Sequence, residues 1–587
     1  MCGIAGLLSM DPGDISLPLL KRMTDAIAHR GPDGEGFWTG EGGRIGLGSR
    51  RLSVIDTSEN GKQPMQYAGG RYTIVYNGEI YNYRELKKGL ISEGFDFRTG
   101  TDTEVLLALY HKKKAECLGD LDGMFSFALY DAEEHCLFCA RDRFGEKPFF
   151  FTHEPGKIFR FGSEMKAVWA GGYPRQVNGK MLYNYLAYGL LQNVQHPSET
   201  FYQGIYRLEK GHALTISTRD LTLRKRPYWG LEPGEDEGPM EEEEAREEFR
   251  SLMQRSVQRR LRSDVPVGED LSGGLDSTLL LHLMRTSLGA TNIPVFSARF
   301  PGFPLDEGPY IREAASAFGA ELHDCYPNGI ECWDQWEKVF YHQEEPFGSA
   351  GIYAQFKVMQ TAREAGVTVL IDGQGADEIL AGYPHYGRRG WKGALESRLP
   401  GVARRLRRLR ANRAFLNRDF GDAYGKECFL PGRKFDYRFK SLNGALHYDI
   451  FHGGLSDLLR YSDRNAMAHG REVRLPFLDH ELVRFMLRLP AVAKIRDGQT
   501  KYLLREAYAK ALPESILQRT DKVGFEPPQR LWMTEAGFAD RIREAKGHLI
   551  KEGILTASAL RKPVEPKDAY GRGDGSWEWL MASGLYI

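Results

Sequence analysis

The segment Val265-Pro-Val-Gly-Glu-Asp-Leu-Ser-Gly-Gly-Leu-Asp-Ser-Thr278 places the tightest constraint on what this chain can fold into. It reads as a strand that enters a glycine-rich turn, Ser272-Gly273-Gly274-Leu275-Asp276-Ser277, and leaves as an apolar helix from near Thr278 to about Leu288. Strand, turn and helix in this order form a cradle for phosphate. Glycine lets the backbone approach an anion, a helix N-terminus offers unpaired N–H groups at the positive end of its dipole, and the serines add hydroxyl donors. The Walker pattern Gly-x4-Gly-Lys-Ser/Thr occurs nowhere in the chain, so the loop belongs to another class of phosphate binder.

The surroundings of this loop alternate. Helices are expected over about 243–262, 309–318 and 350–365, with apolar strands at about 294–298, 321–325 and 367–371. Such alternation predicts a parallel sheet with helices on both faces, and ligands bind such sheets beyond the strand C-terminal ends. The Ser272 loop and Asp372-Gly-Gln-Gly-Ala-Asp-Glu378 both occupy such ends and are expected to face one nucleotide. Glu269 and Asp270 stand in what should be a buried strand. Either the strand end is wet beside a magnesium-nucleotide site, or the two carboxylates are paired.

A chain of 587 residues exceeds one core and implies two to four domains at about 150 residues each. Lys plus Arg equals Asp plus Glu, 79 each, with no long basic arm, which argues against a nucleic-acid partner. The basic run at 404–410 reads as a solvated helix face, since no aromatic residue is interleaved with it. No apolar run approaches about 18 residues and no export signal opens the chain, so no membrane partner and a cytoplasmic location are expected. Seven cysteines, an odd number, imply no disulfide framework, and Cys136-x-x-Cys139 lacks the second ligand pair of a zinc site. The acidic stretch at 232–244, with its proline and glycine, reads as a linker. The expected organisation is one domain over 2–210, connecting strands and linker over 211–242, and a second domain over 243–587.

The chain opens Met1-Cys2-Gly3-Ile4. Removal of Met1 would give Cys2 a thiol nucleophile and a free α-amine, and an amine with a pKa near 8 can take the thiol proton and return it to a leaving group. Ordered motifs follow: His29-Arg-Gly-Pro-Asp33, a turn; Arg51-Leu-Ser-Val-Ile-Asp56, a short strand; Tyr76-Asn-Gly-Glu-Ile-Tyr-Asn82, a hairpin-like turn; and Thr101-Asp-Thr-Glu104, a helix cap. With Arg141-Asp-Arg-Phe-Gly-Glu-Lys-Pro148 and Phe161-Gly-Ser-Glu-Met-Lys-Ala167, the N-terminal part resembles the class II glutamine amidotransferase domain. The resemblance implies an α+β N-terminal-nucleophile hydrolase fold with αββα layers. It implies Cys2 as nucleophile, Asn77 and the Gly78 N–H as oxyanion hole, and a glutamine site of Arg51, Leu52, Ser53, Val54, Ile55, Asn77, Gly78, Glu79 and Asp102. Arg51 would pair with the glutamine α-carboxylate, and Asp102 and Glu79 would hold its α-ammonium and amide ends.

Ser-Gly-Gly-Leu-Asp-Ser resembles the pyrophosphate loop of ATP pyrophosphatases. Asp463-Arg-Asn-Ala-Met-Ala-His-Gly-Arg-Glu-Val-Arg-Leu-Pro-Phe-Leu-Asp479 and Thr500-Lys-Tyr-Leu-Leu-Arg-Glu506 resemble the synthetase domain of glutamine-hydrolysing asparagine synthetases. The second domain is then expected as an α/β parallel-sheet ATP-pyrophosphatase with a helical C-terminal part. ATP would be a substrate, with Leu271 and Ala298 flanking adenine and Asp372 and Gly373 contacting the nucleotide. Ser272, Gly273, Gly274, Leu275, Asp276 and Ser277 would hold the pyrophosphate, Asp276 and Asp377 would bind Mg²⁺, and Lys501 would neutralise phosphate charge. Ammonia from glutamine would cross an apolar inter-domain channel to an acyl-adenylate, giving L-asparagine from L-aspartate, and homologues imply a homodimer. Two features depart from the family: Gln374 stands where an acid usually assists amide formation, and Glu345-Pro-Phe-Gly-Ser-Ala-Gly-Ile-Tyr353 lacks an Arg-Ala-Ser arrangement. Both fall at the acceptor site, so an amidotransferase for another carboxylate, such as a sugar acid or a modified peptide, is the alternative. A non-catalytic relative is a third, opposed by Cys2, Asn77, Asp102, the Ser272–Ser277 loop and Lys501 occurring together.

Overall fold

The computed structural model describes residues 2–233, 241–387, 413–427, 429, 433–520, 526–571 and 574–587. The basic run 404–410 and positions 234–240 of the acidic stretch lie outside these residues. Twelve strands build the N-terminal half as two antiparallel sheets. The first has the order β10 (Tyr206–Arg207), β8 (Phe150–Glu154), β9 (Ile158–Gly162), β1 (Cys2–Ser9), β3 (Ile45–Arg51) and β2 (Gly34–Gly40). The second runs β12 (Leu223–Pro227), β11 (His212–Ser217), β7 (Cys136–Arg141), β6 (Gly123–Asp131), β5 (Tyr72–Ile80) and β4 (Met65–Tyr67).

Alternation along the strands sets the layers. Ile4 and Leu8 of β1 pack against Val75, Ala128 and Leu137 of the facing sheet. Their neighbours Ala5 and Leu7 meet Leu20 and Met23 of the helix Leu17–Asp25. On the far side, Ile74, Tyr76 and Phe127 cover Val105 and Leu109 of the helix Asp102–Lys113. The result is the expected αββα sandwich. β11 and β12, read from sequence as connecting strands, pair with β7 in the second sheet.

Two local expectations give way to tertiary context. The Asn77-Gly78 pair does not turn: β5 continues through it, buried throughout and paired with β6 from Tyr72 to Ile80. Aromatic and β-branched flanks with a long partner strand outweigh the local Asn-Gly turn preference. Gly78 serves a close approach instead, because a Cβ there would lie 2.3 Å from the Met124 carbonyl oxygen. The strand expected from Arg51 to Asp56 ends at Arg51. There the guanidinium donates to the carbonyls of Ile55, Asp56 and Ser58, folding the following loop back around its side chain.

The C-terminal half holds a five-stranded sheet in the order β15 (Glu321–Cys325), β14 (Pro294–Ala298), β13 (Val267–Asp270), β16 (Val369–Ile371) and β17 (Glu472–Arg474), parallel throughout. The helix after β13 starts at Leu275 rather than near Thr278, which puts Asp276 and Ser277 in its first turn. Extended Gly274 ends the loop, and its carbonyl accepts from both the N–H and the hydroxyl of Thr278. Glu269 meets neither sequence-based alternative: it is fully buried, and neither carboxylate oxygen has a hydrogen-bond partner among the described residues. Burial, with Asp270 and Asp372 nearby, pushes its carboxyl well above the usual range.

Candidate active sites

Cys2 begins β1 directly opposite Arg51 of β3 and is buried. Its backbone N–H donates to Asn77 Oδ1 at 3.0 Å, which ties the first strand to the middle of β5 in the facing sheet. That leaves Asn77 Nδ2 buried without a hydrogen-bond partner among the described residues, a donor oriented by its own amide beside the cysteine. Burial pushes the Cys2 thiol up, partly offset by the Leu52 backbone and the Arg51 charge. The loop after β3 supplies the other predicted residues: Leu52, Val54 and Ile55 are buried, and the Ser53 N–H donates to Asp33 at 2.8 Å. Asp102, the first residue of its helix, accepts from the Tyr76 hydroxyl at 2.7 Å and the Ile80 N–H at 2.8 Å. Glu79 is buried, with Arg474 of β17 4.0 Å away. Burial and then the Asp102 charge hold its carboxyl well above the ordinary value. Cys2, Asn77, Gly78, Arg51 and the loop 52–55 thus come together at the edge of the two sheets. Glu79, two residues along β5 from Asn77 and so on the same face, bears on the Cys2 thiol from between Asp102 and Arg474.

At the C-terminal ends of β13 and β16 a cavity of about 270 Å³ is lined by Ser272, Asp276, Ser277, Asp372, Gly373, Gln374 and Asp377. Gly273 takes φ +70°, the left-handed conformation that lets the loop turn in the small space beside Ile311. Gly274, Leu275 and Lys501 line an adjoining recess together with Ser272. Leu271 and Ala298 face the core and do not line the cavity; the Leu271 carbonyl accepts from the Ser297 hydroxyl at 2.5 Å. Lys501 reaches both Asp276 and Asp377, the latter at 2.7 Å. Two carboxylates already gathered around one positive charge fit a hard divalent cation that takes its remaining oxygens from phosphates and water. Burial pushes Asp372 up to about 6, opposed by the N–H groups of Gln374 and Gly373.

Asp270 and Glu378, both in stretches the sequence singles out, line the same cavity, and so do Tyr383, Leu458 and Tyr461, which the sequence reading missed. Glu378 ends a motif already singled out, and the Tyr383 hydroxyl donates to it at 2.9 Å. Tyr461 and Leu458 come from the helix Leu455–Ala468, whose approach to this sheet no local pattern reveals. From the acceptor-side loop, Gly348, Ser349, Gly351 and Ile352 line the cavity, whereas the Tyr353 hydroxyl turns away to Glu331.

A buried ionic network joins the halves. Arg30 donates to the Cys2 carbonyl at 3.3 Å, to Glu164 at 2.8 Å, and through both terminal nitrogens to Asp463 at 2.9 and 3.0 Å. Arg464 lies 2.9 Å from Glu164 and 2.8 Å from Glu344, and Lys166 bridges the same two carboxylates. Burial alone would raise Glu164, but Lys166, His29 and Arg464 hold its carboxyl well below the usual range.

Two layered sheets opening on a buried cysteine, joined to a parallel sheet with a phosphate loop, define a glutamine amidotransferase coupled to an ATP-using synthetase half. Residues 1–229 match the family model of the glutamine amidotransferase domain, and residues 248–585 match that of asparagine synthase. Asparagine synthetase [glutamine-hydrolyzing] 1 of Bacillus subtilis (strain 168) is 31% identical over 572 residues, covering 91% of this chain and 88% of its own length. Asparagine synthetase [glutamine-hydrolyzing] 3 of the same organism is 32% identical over 542 residues, 88% of this chain and 86% of its own. Amidase chry2 of Gibberella zeae is 26% identical over 613 residues, 91% of this chain and 90% of its own. The chain belongs to the glutamine-hydrolysing asparagine synthetase family, whose members are ligases that use glutamine and ATP. No described helix is long and apolar enough to cross a membrane.

Proposed function

We propose that this chain hydrolyses glutamine at Cys2 and delivers the ammonia to an acyl-adenylate at the phosphate-loop cavity, with L-aspartate as the leading acceptor. The net reaction is L-aspartate, L-glutamine, ATP and water to L-asparagine, L-glutamate, AMP and pyrophosphate. The observation that carries the first half is Asn77, whose carbonyl oxygen is held by Cys2 and whose buried amide nitrogen has no hydrogen-bond partner among the described residues. With Met1 removed, the Cys2 amine would take the thiol proton as Sγ adds to the glutamine side-chain carbonyl. Asn77 Nδ2 and the Gly78 N–H would receive the developing oxyanion, the amine proton would leave with ammonia, and water would release glutamate from the thioester. Arg51 suits the substrate α-carboxylate as a planar cation, and Asp102 and Glu79 suit its amine and amide ends.

In the second half, the acceptor carboxylate would attack the α-phosphorus of ATP and expel pyrophosphate. The Ser272–Ser277 loop and Lys501 would cradle the phosphates, and Asp372 and Gly373 would contact the nucleotide. Asp276 and Asp377 would hold Mg²⁺, which when bound offsets phosphate charge. Ammonia would then displace AMP. Gln374 is a neutral amide and cannot accept the ammonia proton, so Asp372 of the same cavity would take it, whereas burial and the Asp372 charge hold the Asp270 carboxyl well above the usual range. A cytoplasmic homodimer completes this reading.

Gln374, with Ile352, Leu458 and Tyr461 lining the cavity, favours a second reading in which the acceptor is a bulkier carboxylate, such as a sugar acid or a modified peptide. The deciding assay supplies glutamine, ATP and Mg²⁺ with and without L-aspartate and follows pyrophosphate and amide together. Matching aspartate-dependent pyrophosphate and asparagine establish the first reading. Glutaminase activity without aspartate-dependent ATP cleavage selects the second, and neither activity defeats both. The Cys2→Ala variant is expected to lose at least about 10³-fold of glutamine-dependent amidation while keeping the ammonia-dependent reaction; survival of both would defeat the assignment of the nucleophile.

A further inference from the structure

A second and larger cavity, of about 410 Å³, opens between the halves and shares no lining residue with the phosphate-loop cavity. One wall is aromatic: the ring centroids of Phe144, Trp229 and Phe451 lie 5.3, 5.8 and 6.4 Å apart. The volume falls in the range of small-molecule sites, roughly 300–1,000 Å³, and holds many times the roughly 30 Å³ of one water. It is far too roomy to be only a passage for a molecule the size of ammonia.

The charges facing this space do not balance. Five lining residues are basic, namely Arg141, Arg207, Lys210, Arg460 and Arg464, against Glu146, Glu209 and Asp463. Arg207 is paired with Glu345 and Arg464 with Glu164 and Glu344, Asp463 is gripped by Arg30, and Glu209 is held by Lys225 at 2.9 Å. Burial pushes Glu146 up to about 8, which leaves it neutral at pH 7. Arg460 serves mainly the carbonyls of residues 343, 345 and 346 and stands 4.0 Å from Glu345.

Arg141 and Lys210 remain. The Arg141 guanidinium donates only to the carbonyls of Lys147, Leu208 and Gly145, and the Lys210 ammonium donates to the Ile450 carbonyl and the Ser456 hydroxyl, both at 2.9 Å. Neither has a carboxylate partner among the described residues. Nearby Asp142 is committed to the backbone N–H groups of Phe125 and residues 144–147, and the buried Asp457, whose carboxyl burial raises, bears on Lys210 without forming an ion pair with it. Lys210 Nζ also stands 5.7 Å from the centre of the Phe451 ring, so the unpaired charge borders the aromatic wall. Desolvated cations without counter-charge are costly unless something supplies it.

We propose that this inter-domain cavity binds a small organic anion with a flat ring, the ring against Phe144, Trp229 and Phe451 and the acidic group between Arg141 and Lys210. Burial and the Arg141 charge lower the Lys210 ammonium to about 7, so near neutral pH a fraction of the chains carries Lys210 as a neutral amine that a bound anion would reprotonate.

Pyridoxal 5′-phosphate is the probe, since it combines ring, anion and aldehyde. A neutral lysine amine condenses with the aldehyde, releasing water, and borohydride reduces the imine to a stable secondary amine that peptide mapping locates. The full chain is labelled without nucleotide, and peptide mapping separates Lys210 from Lys501 beside the phosphate-loop cavity. Lys210 is expected to be modified at least about tenfold faster than an exposed lysine such as Lys88. Phenyl phosphate is expected to slow that modification in the native chain but not in Trp229→Leu, whose labelling without competitor should persist. Labelling spread over surface lysines with Lys210 spared would overturn the proposal. So would Lys210 labelling that phenyl phosphate leaves unchanged, which would mark a reactive amine without an anion site.

Discussion

Asn77 shows how one side chain can be fixed by one of its atoms and put to use by another. Its Oδ1 is occupied by the Cys2 N–H and its Nδ2 has no partner among the described residues, so the amide cannot flip without losing a buried hydrogen bond. A donor held in this way needs no reorganisation as an oxyanion forms, which is the condition under which such groups are worth most. Asn77→Ala is therefore expected to lower kcat for glutamine hydrolysis by about 10²–10³-fold. Ammonia-dependent ATP cleavage at the other centre should stay within about twofold of the parent protein, since Asn77 makes no contact there. Parallel glutamate and pyrophosphate assays read both effects, and an equal fall in the two would mean that the substitution acts by unfolding the chain. Asp102 differs: burial raises its carboxyl, against the Ile80 N–H and the Tyr76 hydroxyl, which lower it. If its anion holds the glutamine ammonium, KM for glutamine should rise on acidification from a pH above the ordinary carboxylate value, and Asp102→Asn should abolish that dependence.

At the scale of elements, the phosphate loop works because a strand, a turn and a helix meet with almost no room to spare. Gly273 has φ +70°, and a Cβ there would lie 2.6 Å from the Ile311 N and 2.9 Å from the Tyr310 carbonyl carbon, both backbone atoms that cannot swing aside. Gly273→Ala is expected to displace the loop and lower kcat/KM for ATP by about 10²-fold, the usual scale for misplacing a binding group by about an ångström. Glutaminase activity should be unchanged, and ATP titration with pyrophosphate release checks it. This loop was legible in the sequence because its signal is local: Ser-Gly-Gly-Leu-Asp-Ser sits between an apolar strand and an apolar helix. The alternation of β13, β14, β15 and β16 with helices was legible for the same reason. β17 was not, since Glu472-Val-Arg474 is three residues long and charged at both ends, and only the partner strand β16 makes it a strand. Asn77-Gly78 misled in the opposite sense, a strong turn signal overruled by pairing with β6. Cys2, Arg51, Asn77 and the phosphate loop could be picked out because their motifs are contiguous. Leu458, Tyr461 and the cavity between the halves could not, because their neighbours are distant in sequence and only folding brings them together.

For the whole molecule, the question is what keeps two independently layered halves in register, and the buried network around Glu164 answers it. One carboxylate of the N-terminal half is shared by Arg30 and Lys166 of that half and Arg464 of the other, while Asp463 reaches back to Arg30. Removing Glu164 leaves three buried cations to share the two remaining carboxylates, Glu344 and Asp463, at a cost of up to about 3–5 kcal/mol. In Glu164→Gln the three cations keep their places and lose one of the three carboxylates that balance them, so the junction should weaken while each sandwich or sheet keeps its core. Calorimetry is then expected to resolve one unfolding transition into two, and glutamate should form in excess of amide product as ammonia escapes at the loosened junction. The pH dependence has a defined sign. Glu164 is held well below the ordinary carboxylate value, so its stabilising contribution is fully present above the unfolded value of about 4.3 and is lost as pH falls through the lower folded value. The native chain should therefore uncouple its halves on acidification below about pH 4, and Glu164→Gln should be uncoupled already at neutral pH with a flatter acid limb. A single transition in the variant, with glutamate and amide still formed one for one, would place the junction elsewhere.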